Sequence, residues 1–344
     1  MKKSAPILAF SATLALLTAG VSTSPAACDA VCRVLSDPLR RGLSGLSSLV
    51  PFPLCELALI ALPAVLPFVL YRAARDPAVP RRATTAVALV FSFFLVLSVL
   101  PARRVPPADP TPPTDAEWIG FAAFLAENAN RTEAALPPAR GPGTPPVLDD
   151  VGELSTAVVA RLLAEYPTPT KPTRVKRTLF PRLLTRWGLL GYHAAWTGEA
   201  VIVPTAPPYT IAFTAAHEAA HQAGVLTEGE ASFAAYLSLV SSPEPAIAYS
   251  GYAGALDAVL PLLPSDARLA LLSSLSPRVR EDLLLFDAFL PSGGRAAAFE
   301  SGNAASVRLR GGEERGSYDL FPLLACRAFL GSSDGDQADP PAIY

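Results

Sequence analysis

Apolar positions are distributed unevenly along the chain. Three runs stand out in the first hundred residues, at 5–23, 54–71 and 84–100. The third contains VALVFSFFLVLSVL, without a single charge. Each approaches the ~20 residues a helix needs to cross the hydrocarbon core, so the pattern predicts three N-terminal membrane helices. The first follows Lys2 and Lys3 and reads as a signal peptide or a signal anchor. In the second, Glu56 falls at the interface rather than the centre, and Pro63 interrupts the run.

Beyond residue 104 the pattern becomes amphipathic. Trp118, Phe121, Phe124 and Leu125 recur at helical spacing and predict a helix over 115–133. A second helix is expected over 151–166. Residues 198–204, GEAVIVP, read as a short strand. A helix over 209–223 ends at Gly224, another covers 228–241, and 247–289 and 321–330 are helix-rich. Proline-rich connections occupy 105–113 and 135–146, and the basic, proline-punctuated stretch 168–177 reads as a surface loop. The predicted architecture is mainly α: a membrane anchor over 1–104, then one mostly helical domain over 105–344 with a small β element.

Composition sharpens this picture. The chain is 51% apolar and only 17% charged, against roughly 25% charged in ordinary soluble domains, which fits a protein partly in lipid. The net charge of −2 gives no sign of a nucleic-acid partner. Basic residues in short loops set orientation. Lys2 and Lys3 place the N-terminus inside, and Arg72, Arg75, Arg81 and Arg82 keep the loop between the second and third runs inside. Arg33, Arg40, Arg41, Arg103 and Arg104 weigh the other way, but the alternation favours a main domain outside the cytoplasmic membrane. Of the four cysteines, Cys28 and Cys32 are close enough in sequence for a disulfide if their loop is extracytoplasmic.

The chemistry is concentrated at His217-Glu218-Ala219-Ala220-His221. Histidines at i and i+4 lie on one helical face and can reach one metal ion. Glu218 projects beside them, placed to act as general base on a water that the metal polarises. Zinc suits such a site because it accepts imidazole and carboxylate ligands. The flanking Ala215, Ala216, Ala219, Ala220 and Ala223 let the helix be buried closely. A third ligand is required, and Glu228, Glu230 and His193 are the choices. Glu228-Gly-Glu-Ala-Ser resembles the E-x-x-A pattern of glutamate-type zinc peptidases, and on that resemblance Glu228 is preferred, with Glu230 the alternative. Ser232 falls where those families often carry Asp or Asn to orient a ligand histidine. Residues 199–204, just before the motif, are placed to act as an edge strand for an extended substrate.

Gly191-Tyr192, Thr197-Gly198-Glu199-Ala200, Phe213 to Gln222, Glu228 to Leu237, Ser242-Pro243 and Tyr249 to Tyr252 together make the chain similar to domain-of-unknown-function family 3810, a bacterial membrane family. Gly316-Ser317-Tyr318 is a further shared element. The resemblance implies a zincin-like site and names no substrate. Family members usually have Asn where Ser232 stands. Glu199 is a candidate to bind substrate or brace a ligand histidine, and Tyr249 or Tyr252 to donate to an oxyanion. The resulting expectation is a membrane-anchored zinc hydrolase acting on a peptide or another cell-envelope bond, with membrane lipid as its surroundings. The rival expectation is an envelope protein whose zinc is structural.

Overall fold

The structure, a computed structural model, describes residues 5–21, 23–76, 78–102, 111–136, 174–225, 227–290 and 320–333. The helix expected at 151–166 and the shared element at 316–318 lie outside the described residues.

All three apolar runs are helical. They form α1 (Ala5–Val21), α4 (Leu54–Arg75) and α5 (Ala78–Phe94), the last continuing through a π-helical turn at Leu95–Val99. Leu54–Arg75 and Arg82–Val99 are long and apolar enough to cross a membrane. The 17 residues of α1 rise ~25 Å, short of a full ~30 Å core. α1 and α5 are pinned by Ser11, whose Oγ donates to the Ala88 carbonyl at 3.2 Å and accepts from Ser92 Oγ at 2.9 Å. Between α1 and α4 lie α2 (Pro25–Val31), a π turn (Cys32–Ser36) and α3 (Asp37–Ser47). The disulfide considered for Cys28 and Cys32 is absent, since both are buried free thiols. Positions i and i+4 of a continuous helical stretch hold their Cβ atoms ~5–6 Å apart, too far for a bridge that needs ~3.8 Å.

The remaining domain contains α6 (Asp115–Ala134), β1 (Val175–Arg177), α7 (Pro181–Arg186), β2 (Gly191–Ala194) and β3 (Glu199–Ile202). It continues with α8 (Pro208–Ala223), α9 (Glu228–Val240), α10 (Pro245–Val259), α11 (Ser265–Ser274), α12 (Pro277–Phe289) and α13 (Leu320–Ser333). Phe121, Leu125, Phe233 and Leu256, all buried, mark a core shared by α6, α9 and α10.

Two sequence expectations are corrected by the sheet. Its order is β1-β3-β2, with β1 parallel and β2 antiparallel to β3. Strand 199–202 is therefore central, and both its edges are already paired; it cannot accept a substrate. The run Glu199–Ile202 is buried at every position, as a strand covered on both faces should be. The stretch expected as a surface loop, 168–177, ends in the paired strand β1.

Alternation gives the sheet two distinct faces. Val175, Ala200 and Ile202 pack on α8 against Ile211, Ala212, Ala215 and Ala216. On the other face Lys176 donates to the Ser47 and Phe52 carbonyls at 2.7 and 3.0 Å and pairs with Glu199 at 2.5 Å. Glu199 also accepts from the backbone N–H groups of Leu54 and Cys55, at 2.7 and 2.9 Å, satisfying two orphan donors in the first turn of α4. Glu56 accepts from Thr178 Oγ1, the Leu179 N–H and Tyr192 Oη at 2.5–2.6 Å. The sheet is thus held between the motif helix α8 and the start of α4.

Candidate metal centre

Helix α8 begins with Pro208 and is lined with alanines, so its backbone can approach its neighbours closely. It ends at Gly224, whose φ of 124° a side chain would resist. A Cβ there would also come within 2.5 Å of Arg40 Nη2, so α3 seals this turn with a buried cation. Arg40 donates to the Ala223 carbonyl at 3.4 Å, where the negative end of the α8 dipole favours positive charge. The turn brings the Val225 carbonyl to 2.7 Å from His221 Nδ1, and Glu228 then opens α9.

Nε2 of His217 and Nε2 of His221 lie 3.1 and 3.3 Å from the same Glu228 oxygen, Oε2. The three groups offer ligand atoms that all fall within 4.8 Å of one another. A tetrahedral ion with bonds of 2.0–2.1 Å separates its ligand atoms by about 3.3 Å, close to the two separations between the imidazoles and Glu228. The outer nitrogens are also engaged. His221 Nδ1 faces a carbonyl, which fixes its proton there and leaves Nε2 with a lone pair, and His217 Nδ1 is 3.1 Å from Ser232 Oγ.

The electrostatics favour an anionic Glu228 between two imidazoles. Burial opposes the Glu228 charge, but His221 and His217 outweigh it and hold the carboxyl well below its usual range. Burial and then the neighbouring His221 push His217 down. At His221 burial acts downward too, and Glu228 overcomes it, so that imidazole lies above its ordinary value.

Glu218 is buried next to this cluster, with β2 lying directly against it. A Cβ on Gly191 would sit 2.6 Å from Thr214 Cγ2, 2.8 Å from the Val201 carbonyl and 3.1 Å from Glu218 Cγ. Only glycine lets the strand pass here.

The other sequence candidates separate clearly. Glu230 accepts from Thr227 Oγ1 and is not among the three converging groups. The His193 ring stacks 6.1 Å from His221, beside the cluster but outside it. Glu199 has neither role expected of it; it is fully buried on the opposite face of the sheet, where Lys176 and α4 need its charge. Tyr249 and Tyr252, the candidates for an oxyanion donor, have these neighbours. Tyr249 donates to Asp282 at 2.6 Å, and Tyr252 packs edge-on against Phe124.

Sequence reasoning missed the Val225 carbonyl, signalled only by Gly224, and it missed a cavity. That cavity, of about 330 Å³, is bordered by Thr214 and Ser232 and extends past Phe213 and Phe286 to Asp257. Tyr209 lines it with a buried hydroxyl that has no hydrogen-bond partner among the described residues. Burial, and then Asp287, push the Asp257 carboxyl up to about 6.

The family described as "Protein of unknown function (DUF3810)" matches residues 33–299. No curated protein and no solved structure matches the chain.

Proposed function

The chain belongs to the DUF3810 family, whose description assigns no activity, and from the site itself we propose a membrane-anchored, zinc-dependent hydrolase with a zincin-like site, acting as a metallopeptidase. The observation that carries this reading is the convergence of two imidazole nitrogens on one Glu228 oxygen, at 3.1 and 3.3 Å, beside a buried Glu218.

His217, His221 and Glu228 would hold the ion. Zinc, when bound, polarises a water and a substrate carbonyl. The rest of the work belongs to the chain. Ser232 and the Val225 carbonyl keep the imidazoles oriented. Glu218 takes a proton from the attacking water and passes it to the departing amine. Three protein ligands among the described residues fit a catalytic site better than the four of a structural one.

β2 provides the substrate edge that 199–204 does not. The Val203 N–H donates to the Leu190 carbonyl, which makes 190 and 203 a hydrogen-bonded pair. Two-residue alternation then turns the backbone groups of Gly191 and His193 away from β3. An extended peptide can pair along that outer edge, and the cavity bordered by Thr214 and Ser232 accommodates one of its side chains.

The localisation we propose is the cytoplasmic membrane, multi-pass, with α4 and α5 spanning it and α1 as an inward-starting anchor. The first turn of α4 is held by the domain through Glu199 and Glu56. The Arg72–Arg82 loop at its far end then lies on the other side, inside by the positive-inside rule, and the hydrolase domain lies outside.

Glu218→Gln tests the reading. The variant should retain its zinc and fold and lose hydrolysis of an envelope peptide by at least ~100-fold. Retention of full activity would end the proposal, and loss of metal would make Glu218 a ligand instead. Peptide hydrolysis is favoured over attack on a non-peptide cell-wall amide because the β2 edge recognises extended backbone; assay of both substrate types decides between them.

A further inference from the structure

Between Arg174 and Trp187 the sequence RVKRTLFPRLLTRW carries five basic residues and no acid. Lys176 is committed to the sheet's ion pair. Arg174, Arg177, Arg182 and Arg186 are exposed, and none has an ion-pair partner among the described residues. Interleaved with them, Leu179, Phe180, Leu183 and Trp187 are exposed as well. This is too much apolar surface on one short segment to be left to water without a reason.

The position of the segment supplies that reason. Leu179 is tied by its N–H to Glu56 in the first turn of α4. Phe180, Leu183 and Leu184 share a cavity of about 320 Å³ with Leu59 and Ile60 of α4. Ile60 is six residues into that helix, ~9 Å below its start. α7 therefore runs beside the outer two turns of α4, at the depth where a spanning helix passes from headgroups to acyl chains. Tryptophan and arginine are the residues suited to that boundary.

We propose that Leu179–Trp187 is a lipid-binding surface immersed in the interface of the bilayer that α4 crosses. Its cavity takes an acyl chain of an anionic phospholipid, and Arg182 and Arg186 meet the phosphate. The charge argues for an anionic lipid: the exposed charge here is that of Arg182 and Arg186, while Glu56, which also lines the cavity, is buried and accepts from Thr178, Leu179 and Tyr192. The proposal rests on α4 spanning the membrane and is independent of any hydrolytic activity.

The test uses the full chain in bilayers holding phosphatidylcholine and phosphatidylglycerol, with bromines on the acyl chains of one lipid or the other. The Trp187 signal is the difference between the chain and its Trp187→Phe variant. Brominated phosphatidylglycerol should quench Trp187 more strongly than brominated phosphatidylcholine. Arg182→Gln/Arg186→Gln should reduce that preference by about 5-fold per arginine. Equal quenching by both lipids overturns the anionic site, and no quenching by either overturns the surface. Alkaline extraction of the same vesicles separates the two readings. A retained chain with unquenched Trp187 sinks the surface alone, and a released chain sinks the span as well.

Discussion

Glu199→Gln removes one charge from a fully buried pair and leaves Lys176 without its anion. Both side chains are at most 1% exposed, and the contact is 2.5 Å. Breaking such a pair from one side costs about 3–5 kcal/mol, because the remaining charge stays buried. Two carbonyls still accept from Lys176, which favours the lower end. Against that, the two N–H groups of Leu54 and Cys55 exchange a carboxylate for a weaker amide acceptor. About 4 kcal/mol in a domain of this size lowers the thermal midpoint by ~8–16 °C. The assay is thermal unfolding of the purified chain in detergent, with hydrogen exchange over residues 48–56 reporting whether the first turn of α4 loosens. Lys176→Met/Glu199→Gln should recover much of the loss, giving a coupling well above 1 kcal/mol in the double-mutant cycle. The pair also has a pH signature. Burial alone would raise the Glu199 carboxyl, but Lys176, Leu54 and Cys55 hold it below its usual value. A lowered carboxylate contributes stability above its unfolded value of about 4.3, and that contribution disappears as pH falls through the folded value. The wild type should lose this increment on acidification, and the Glu199→Gln variant should not. Single variants within 0.5 kcal/mol of wild type, or strictly additive ones, would refute the reasoning.

His217→Ala/His221→Ala should abolish binding of about one zinc per chain, read by metal analysis after dialysis; full retention refutes the site. Ser232→Ala should weaken zinc binding by about 10-fold through loss of the His217 Nδ1 contact, measured by competition with a chromophoric chelator, and Ser232→Asn should not. Asp257→Asn should raise the thermal midpoint at pH 8 by roughly 5 °C and leave it unchanged at pH 4. The sign follows from a folded value raised to about 6: the penalty builds as pH rises from the unfolded value of about 3.9 and is complete above 6.

The helices and the His217, His221 and Glu228 cluster were legible because their signals are local. Charge-free VALVFSFFLVLSVL, the i, i+4 histidines and Glu228 after Gly224 each announce themselves within fourteen residues. The sheet was legible only in part. Glu199–Ile202 reads as a strand, but whether a strand is central depends on partners, and β1 comes from a stretch whose prolines and basic residues suggest a loop. Glu199 misled for a related reason. A carboxylate 18 residues before the motif is near it in sequence, yet strand alternation turns it to the other face. The contacts that rule it out, Leu54 and Lys176, lie 145 and 23 residues away. Tyr249 was equally ambiguous, since only its tertiary partner Asp282 distinguishes a packed hydroxyl from a catalytic one.

The two-faced sheet has a geometric consequence. With α8 on one side and the first turn of α4 on the other, the sheet is a rigid spacer between the motif helix and the longest apolar helix. Glu199, Lys176 and Glu56 fasten it to α4, and Gly191 brings it against Glu218. A displacement of the first turn of α4 would therefore be carried through a single layer of strands to the helix that bears His217 and His221.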